Sequence, residues 1–209
     1  MSLEGKKCPK FSGDATGGIS LSNKDFEGKN LIIFFYPKDN TPGCTLEGQD
    51  FRDNHKEFTK LNAEILGVSR DSIKSHENFK EKQSFPFQLL SDPDEAMCKS
   101  FDVMREKSMY GKKYIGVDRS TFLINSNGLV EKEWRSVKVK GHVLEVLQAC
   151  NTSRTWPLTF TDLHSFSTKP FELMRNVLLS TPMYFFPYID FSLITSKDLH
   201  IASSGSDNS

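Results

Sequence analysis

The stretch Leu31-Ile32-Ile33-Phe34-Phe35-Tyr36-Pro37-Lys38-Asp39-Asn40-Thr41-Pro42-Gly43-Cys44-Thr45-Leu46-Glu47 decides how this chain folds. Its opening run from Leu31 to Tyr36 is apolar throughout and reads as a buried strand. Pro37 stops the strand, a polar turn follows, and Leu46 opens an amphipathic helix. Cys44 is thereby delivered to the first turn of a helix. Backbone N–H groups there lack partners and the dipole is positive. Such an environment favours thiolate over thiol and makes a cysteine reactive.

Outward from this unit, strands and helices alternate. The spacing predicts a helix over Leu46–Leu61 with Leu46, Phe51, Phe58 and Leu61 as its apolar positions. A strand over Glu64–Ser69 and a helix over Ser72–Gln83, capped by Asp71 or Ser72, come next. Phe87–Leu90 reads as a short strand, and Pro93–Phe101 as a helix begun by Ser91 or Asp92. Ser120–Ile124 and Leu129–Trp134 form a hairpin across Asn125-Ser126-Asn127-Gly128, where Asn-Gly is a strong turn signal. Gly141–Cys150 is the last helix, with Val143, Val146 and Leu147 on one face. A βαβ unit followed by a hairpin and a helix implies an α/β protein: a central mixed sheet flanked by helices on both faces, in a thioredoxin-like fold.

Composition divides the chain near residue 150. Residues 1–150 hold 45 of the charged residues and 12 of the 13 glycines, whereas residues 151–209 hold 9 charged residues and 17 serines or threonines. The expected organisation is therefore a thioredoxin-like domain over 1–150 and a C-terminal extension over 151–209. The extension has six phenylalanines but no sustained period of 3.6 or 2. Its uncharged run from Asn176 to Ile189, broken by Pro182 and Pro187, is too short for a membrane span. A poorly ordered extension, a segment docking on its own domain or a second subunit, a peripheral membrane contact and a fused or out-of-frame terminus all stay open.

Charge is balanced at 27 basic against 27 acidic residues, which removes the electrostatic case for nucleic acid or an anionic membrane. Cys8, Cys44, Cys98 and Cys150 are too widely and irregularly spaced for a disulfide scaffold. With no CxxC or Cys/His cluster, no metal and no other cofactor is expected. The N-terminus has no apolar core of a signal peptide, so a reducing cytoplasm is the default location.

Pro37, Thr41 and Cys44 form Pro-x-x-x-Thr-x-x-Cys on a strand–turn–helix. Thr41, three residues before the thiol, places a hydroxyl on the same side of the turn, able to bond the thiolate or a substrate oxygen. Pro37 and Pro42 stiffen the loop and shield the sulfur from water, which strengthens local electrostatics. The stretch Phe35 to Glu47, with Phe51-Arg52-Asp53 beyond it, resembles the bacterioferritin-comigratory (PrxQ-type) branch of the peroxiredoxins. Gly67-Val68-Ser69-Arg70-Asp71-Ser72, Leu90-Ser91-Asp92, the loop from Glu106 to Tyr114, and Arg119-Ser120-Thr121-Phe122-Leu123-Ile124 extend that resemblance over roughly residues 3 to 149.

The resemblance implies a thiol-specific peroxidase acting on hydrogen peroxide and organic hydroperoxides, with Cys44 as peroxidatic cysteine and Pro37, Thr41 and Arg119 as its helpers. Arg119 would hold thiolate and peroxide with a permanent charge. The Thr41 hydroxyl and the Gly43 and Cys44 N–H groups would complete a polar cradle. Glu47 would order the local network rather than move protons. Thioredoxin or another thiol is the implied reductant, and a monomer the implied state, with a dimer open.

The pattern breaks at recycling. Relatives commonly keep a resolving cysteine five residues after the first or on the following helix, and here Gln49 and Lys80 stand there. Cys98 reads as a packing cysteine, Cys8 as incidental, and Cys150 as a bystander at the end of the last helix with an intermolecular partner left open; whether one of the three resolves Cys44 also stays open. The expectation is a one-cysteine mechanism in which an external thiol reduces Cys44. Two other functions compete. A thiol–disulfide oxidoreductase would need Cys-x-x-Cys, and Thr41-Pro42-Gly43-Cys44 puts threonine at its first position. A redox sensor or holdase chaperone could use the same thiol without turnover.

Overall fold

A computed structural model describes residues 2–109 and 112–153. From residue 154 onward the expected extension lies outside the described residues, as do Tyr110 and Gly111 of the loop motif. Two short strands, β1 (Ser12–Ala15) and β2 (Ile19–Ser22), lead into β3 (Asn30–Phe35). Then come α1 (Pro42–Asp53), α2 (His55–Lys60), β4 (Ala63–Ser69), α3 (Ile73–Gln83), β5 (Gln88–Ser91) and the short α4 (Ala96–Ser100). A hairpin of β6 (Met104–Met109) and β7 (Lys112–Val117) precedes β8 (Ser120–Ile124), β9 (Val130–Trp134) and α5 (His142–Ser153).

Seven strands form one sheet in the order β2-β1-β5-β4-β3-β8-β9. The β3–β4 and β4–β5 pairs are parallel and the others antiparallel, so the sheet is mixed as expected. Period-two alternation explains why β3 is apolar on both faces. Leu31, Ile33 and Phe35 enter one core with Leu66, Val68, Phe122 and the α4 side chains Met97 and Cys98. Ile32, Phe34 and Tyr36 enter the other with Phe51, Phe58, Phe79 and Val146 from α1, α2, α3 and α5. Helices therefore cover both faces. Among the described residues no helix is long and apolar enough to cross a membrane.

The expected long helix over Leu46–Leu61 is two helices. At Asn54 the side-chain amide and the backbone N–H both donate to the Asp50 carbonyl, at 2.8 and 3.2 Å, and the chain turns there. Leu46, expected on the apolar face, is exposed. The expected helix over Pro93–Phe101 is shortened because Glu95 takes a left-handed φ of 61°. The helix begins at Ala96 after Glu95 rather than at Ser91 or Asp92, although the Asp92 carboxylate still accepts from its N–H groups, Met97 at 3.1 Å and Cys98 at 2.7 Å. The last helix continues three residues past Cys150, through Ser153. The strands β1, β2, β6 and β7 lack strong apolar alternation, and sequence patterning passes over them.

Gly48 lets α1 approach the Phe85 ring, since a Cβ there would lie 2.4 Å from the nearest ring carbon. Gly48→Ala is expected to lower stability by about 1–3 kcal/mol through overpacking, read as a lower urea midpoint. An unchanged midpoint would show that the ring moves aside without cost.

Candidate active site

α1 begins at Pro42, with Thr41 as the extended residue before it, so Cys44 occupies the first turn as expected. Proline has no N–H, and the first-turn N–H groups of Gly43 and Cys44 have no acceptor within the helix. Thr41 does not cap them. Its hydroxyl donates instead to the Lys38 carbonyl at 2.9 Å. Thr41 is thus beside the thiol in sequence, but its proton is engaged within the loop.

Arg119 reaches the same place from the far end of the chain. Phe35 pairs with Ser120 in the β3–β8 register, so Arg119 stands at the end of β3 where the Cys44 loop departs. Its Nη2 donates to Cys44 Sγ at 3.3 Å, and its Nη1 bonds Glu47 Oε2. A Cβ at Gly43 would sit 3.2 Å from Nη2, so glycine there lets the guanidinium lie against the helix start. Cys44, Glu47 and Arg119 form one tight cluster, and Cys44 and Glu47 are buried. Pro37 sits half-buried at the exit of β3, where it ends the ladder. Among the described residues no hydrogen bond joins it to the cluster.

Burial shapes the charges. It pushes the Glu47 carboxyl up to about 7 even though the Arg119 charge and hydrogen bond oppose the shift. Burial would lower Arg119, but the negative charges of Glu47 and Cys44 outweigh it and hold the guanidinium above its ordinary value. His142, at the start of α5, is lowered to about 4 by burial and by the Arg119 charge. It is neutral at pH 7 and exchanges a hydrogen bond with the Thr121 hydroxyl at 2.8 Å. Pattern reading of the sequence does not find His142, because a histidine at a helix start carries no motif. It also misses a buried cluster of Tyr36, Asp39, Ser75 and His76 behind the loop, whose members are 40 positions apart at most.

The other thiols lie elsewhere. Cys98 packs in the core on the opposite face of the sheet from Cys44, and half-buried Cys8 packs against that same core. Burial raises the Cys98 thiol, with Asp92 adding to the effect, and raises the Cys8 thiol to about 11. Cys150 is buried on α5, on the Cys44 face. Gln49 donates to Gln83 of α3 at 2.8 Å, and Lys80 donates to Gln88 of β5 at 2.6 Å.

Glu47 generates a pH test. Its carboxyl rises on folding from 4.5 to about 7, so the stability it contributes as a neutral acid is present below 4.5 and lost as pH rises through 7. Glu47→Gln cannot ionise and is expected to gain thermal stability relative to the parent between pH 5 and pH 8. A gap that stays constant or reverses over that window would contradict the assignment.

Comparison with known proteins gives a consistent result. A model of the AhpC/TSA family matches residues 5–133. Peroxiredoxin Bcp of Xanthomonas campestris is 55% identical over 134 residues, spanning 64% of this chain and 84% of that protein. Peroxiredoxin Bcp of Bacillus subtilis is 48% identical over 149 residues, spanning 71% and 95%. A solved structure of X. campestris peroxiredoxin Q, 52% identical, superposes with a TM-score of 0.65 over 68% of this chain and 90% of that one. Another, of the X. campestris bacterioferritin comigratory protein, concerns its alkyl peroxide reduction activity and superposes with a TM-score of 0.66 at 51% identity, covering 68% and 91%. Two further X. campestris structures each carry one cysteine changed to serine, at positions 36 apart, the separation of Cys44 and Lys80 here. The chain belongs to the AhpC/TSA family, among its Bcp/PrxQ peroxiredoxins.

Proposed function

We propose that this chain is a thiol-dependent peroxidase that reduces hydrogen peroxide and organic hydroperoxides at Cys44 and is recycled by an external thiol. The observation that carries the reading is the Arg119 guanidinium 3.3 Å from the Cys44 sulfur, with its second arm on buried Glu47. Arginine stays charged at any working pH and offers several donors in one plane. It can hold the thiolate and, at the same time, an oxygen of the peroxide.

The thiolate attacks the distal peroxide oxygen in line. An S–O bond forms as the O–O bond breaks, sulfur loses two electrons, and the departing oxygen takes a proton to leave as water or alcohol. Negative charge grows on that oxygen, where the Arg119 donors and the N–H groups of Gly43 and Cys44 favour it. Because the Thr41 proton is engaged by Lys38, its hydroxyl oxygen acts as an acceptor. Its role in this scheme is to take the O–H of the incoming peroxide and orient the attack, rather than to bond the thiolate.

Cys44 is left as a sulfenic acid. One thiol condenses with it, releasing water and forming a mixed disulfide, and a second thiol displaces that bond to restore Cys44. Gln49 and Lys80 stand at the usual resolving positions, and Cys98 lies across the sheet. That supports an external reductant, thioredoxin or another dithiol, over an internal partner. Buried Cys44 and Glu47, with half-buried Arg119 between them, supply peroxide chemistry that a bare thiol-exchange protein or a holdase has no use for.

Repeated turnover of hydroperoxide with an added dithiol is expected to vanish in Cys44→Ser and to persist in Cys98→Ser; turnover retained by Cys44→Ser would overturn the reading. Arg119→Ala is expected to slow peroxide consumption by about a hundredfold, the scale of losing one oriented donor to developing charge. Intact-mass analysis after one equivalent of peroxide, with no thiol added, is expected to show sulfenic or more oxidised Cys44. A quantitative internal disulfide would instead exclude the one-cysteine route, leaving the external thiol to reduce that disulfide.

A further inference from the structure

Thr41 ends, and Cys44 follows, a loop over residues 37–41 that forms no ladder of its own. Its middle residue, Asp39, is a buried carboxylate on which three donors converge. The Tyr36 hydroxyl donates to Oδ1 at 2.8 Å, the Ser75 hydroxyl to Oδ2 at 2.7 Å, and His76 Nδ1 lies 2.9 Å from Oδ2. The other ring nitrogen of His76, Nε2, is 3.2 Å from the Leu90 carbonyl. Both ring nitrogens thus face acceptors, and the ring is held between the loop carboxylate and the β5 backbone.

The result is a histidine–carboxylate contact joining the loop to α3, with both side chains out of contact with water. Burial alone would raise the Asp39 carboxyl, but the bond to His76 and its charge outweigh that and hold it below its ordinary value. The Asp39 backbone is fixed as well, since its N–H donates to Asp71 Oδ2 at 2.8 Å. Asn40, next in line, has a left-handed φ of 58°, a conformation that non-glycine residues adopt at a cost. A loop released from α3 would relax it.

Asp39 is bonded to Lys38, and the Lys38 carbonyl is the acceptor that sets the Thr41 hydroxyl. Fixing Asp39 from both its side chain and its N–H therefore fixes the direction of that carbonyl. We propose that the Asp39–His76 pair is a latch that aims the Thr41 hydroxyl at the incoming peroxide, with Asp39 and His76 as positioning residues. The inference rests on the peroxidase reading above. It assigns the orientation of the peroxide to a pair that itself touches neither sulfur nor substrate, while the thiolate depends separately on Arg119 and the helix start.

The test is a double-mutant cycle on the rate of Cys44 oxidation by hydroperoxide, followed by stopped flow. Asp39→Asn keeps the shape of the side chain but removes the charge that pairs with His76. Its rate is expected to fall about tenfold, the scale of a small misplacement of a reacting group. The pH profile of Cys44 alkylation is expected to stay where it is, because Arg119 is untouched. In a Thr41→Val background the same substitution is expected to cost less than about twofold, since both act through one hydroxyl. Should Asp39→Asn fail to fold, Ser75→Ala removes a single donor from Oδ2 and is run through the same cycle. Wild-type rates in a folded variant, or losses that multiply with Thr41→Val, would overturn the latch. Absence of peroxide consumption by the unaltered protein would strike down the peroxidase reading, and the latch with it.

Discussion

The guanidinium of Arg119 is the group on which the site depends. A half-buried cation is favoured where its donors are occupied and its charge is balanced. Cys44 takes one arm, Glu47 the other, and Gly43 leaves the space in which the plane can lie. Each neighbour is constrained in turn. Burial raises the Glu47 carboxyl against the pull of the Arg119 charge, and burial together with that charge keeps His142 neutral. Cys44 is one corner of an electrostatic arrangement whose centre lies 75 residues away in sequence.

The sheet makes that arrangement possible. β3 is parallel to β4 on one side and antiparallel to β8 on the other. The carboxyl end of β3 therefore meets the start of β8, so one corner receives both the Cys44 loop and Arg119. Ligand sites of open α/β sheets favour such switch points, where the chain leaves a strand between neighbours of different direction. Behind the loop, Asp39 and His76 tie the same corner to α3, and Leu90 of β5 completes the tie. The Cys44 loop is thus backed on one side by a helix and on the other by strand edges that cannot shift without opening a core.

Much of this was legible in the chain. The apolar run into Pro37 and the thiol after a polar turn specify strand, loop and helix start through local rules alone. The same holds for β4, α3, the β8–β9 hairpin and α5, whose ends follow from caps and an Asn-Gly turn. Where patterning failed, a particular local competitor won. Asn54 turned its own amide onto Asp50 and divided a helix, Glu95 took a left-handed conformation and shortened another, and Leu46 pointed to solvent. The strands at the sheet edge and in the β6–β7 hairpin mix polar with apolar residues and give no period to read.

The sequence by itself determined that Cys44 would stand at the start of a helix after a stiff, proline-bounded loop. It also determined that no cysteine follows at Gln49 or Lys80, because residue identity and short-range stereochemistry need no partner. Only the tertiary structure decided where the Thr41 proton goes, that Glu47 would be buried against Arg119, and that Asp39 and His76 would meet behind the loop. Those outcomes depend on distances between segments remote in sequence, and on the burial that turns ordinary side chains into strongly coupled charges. Local propensity carries no information about either.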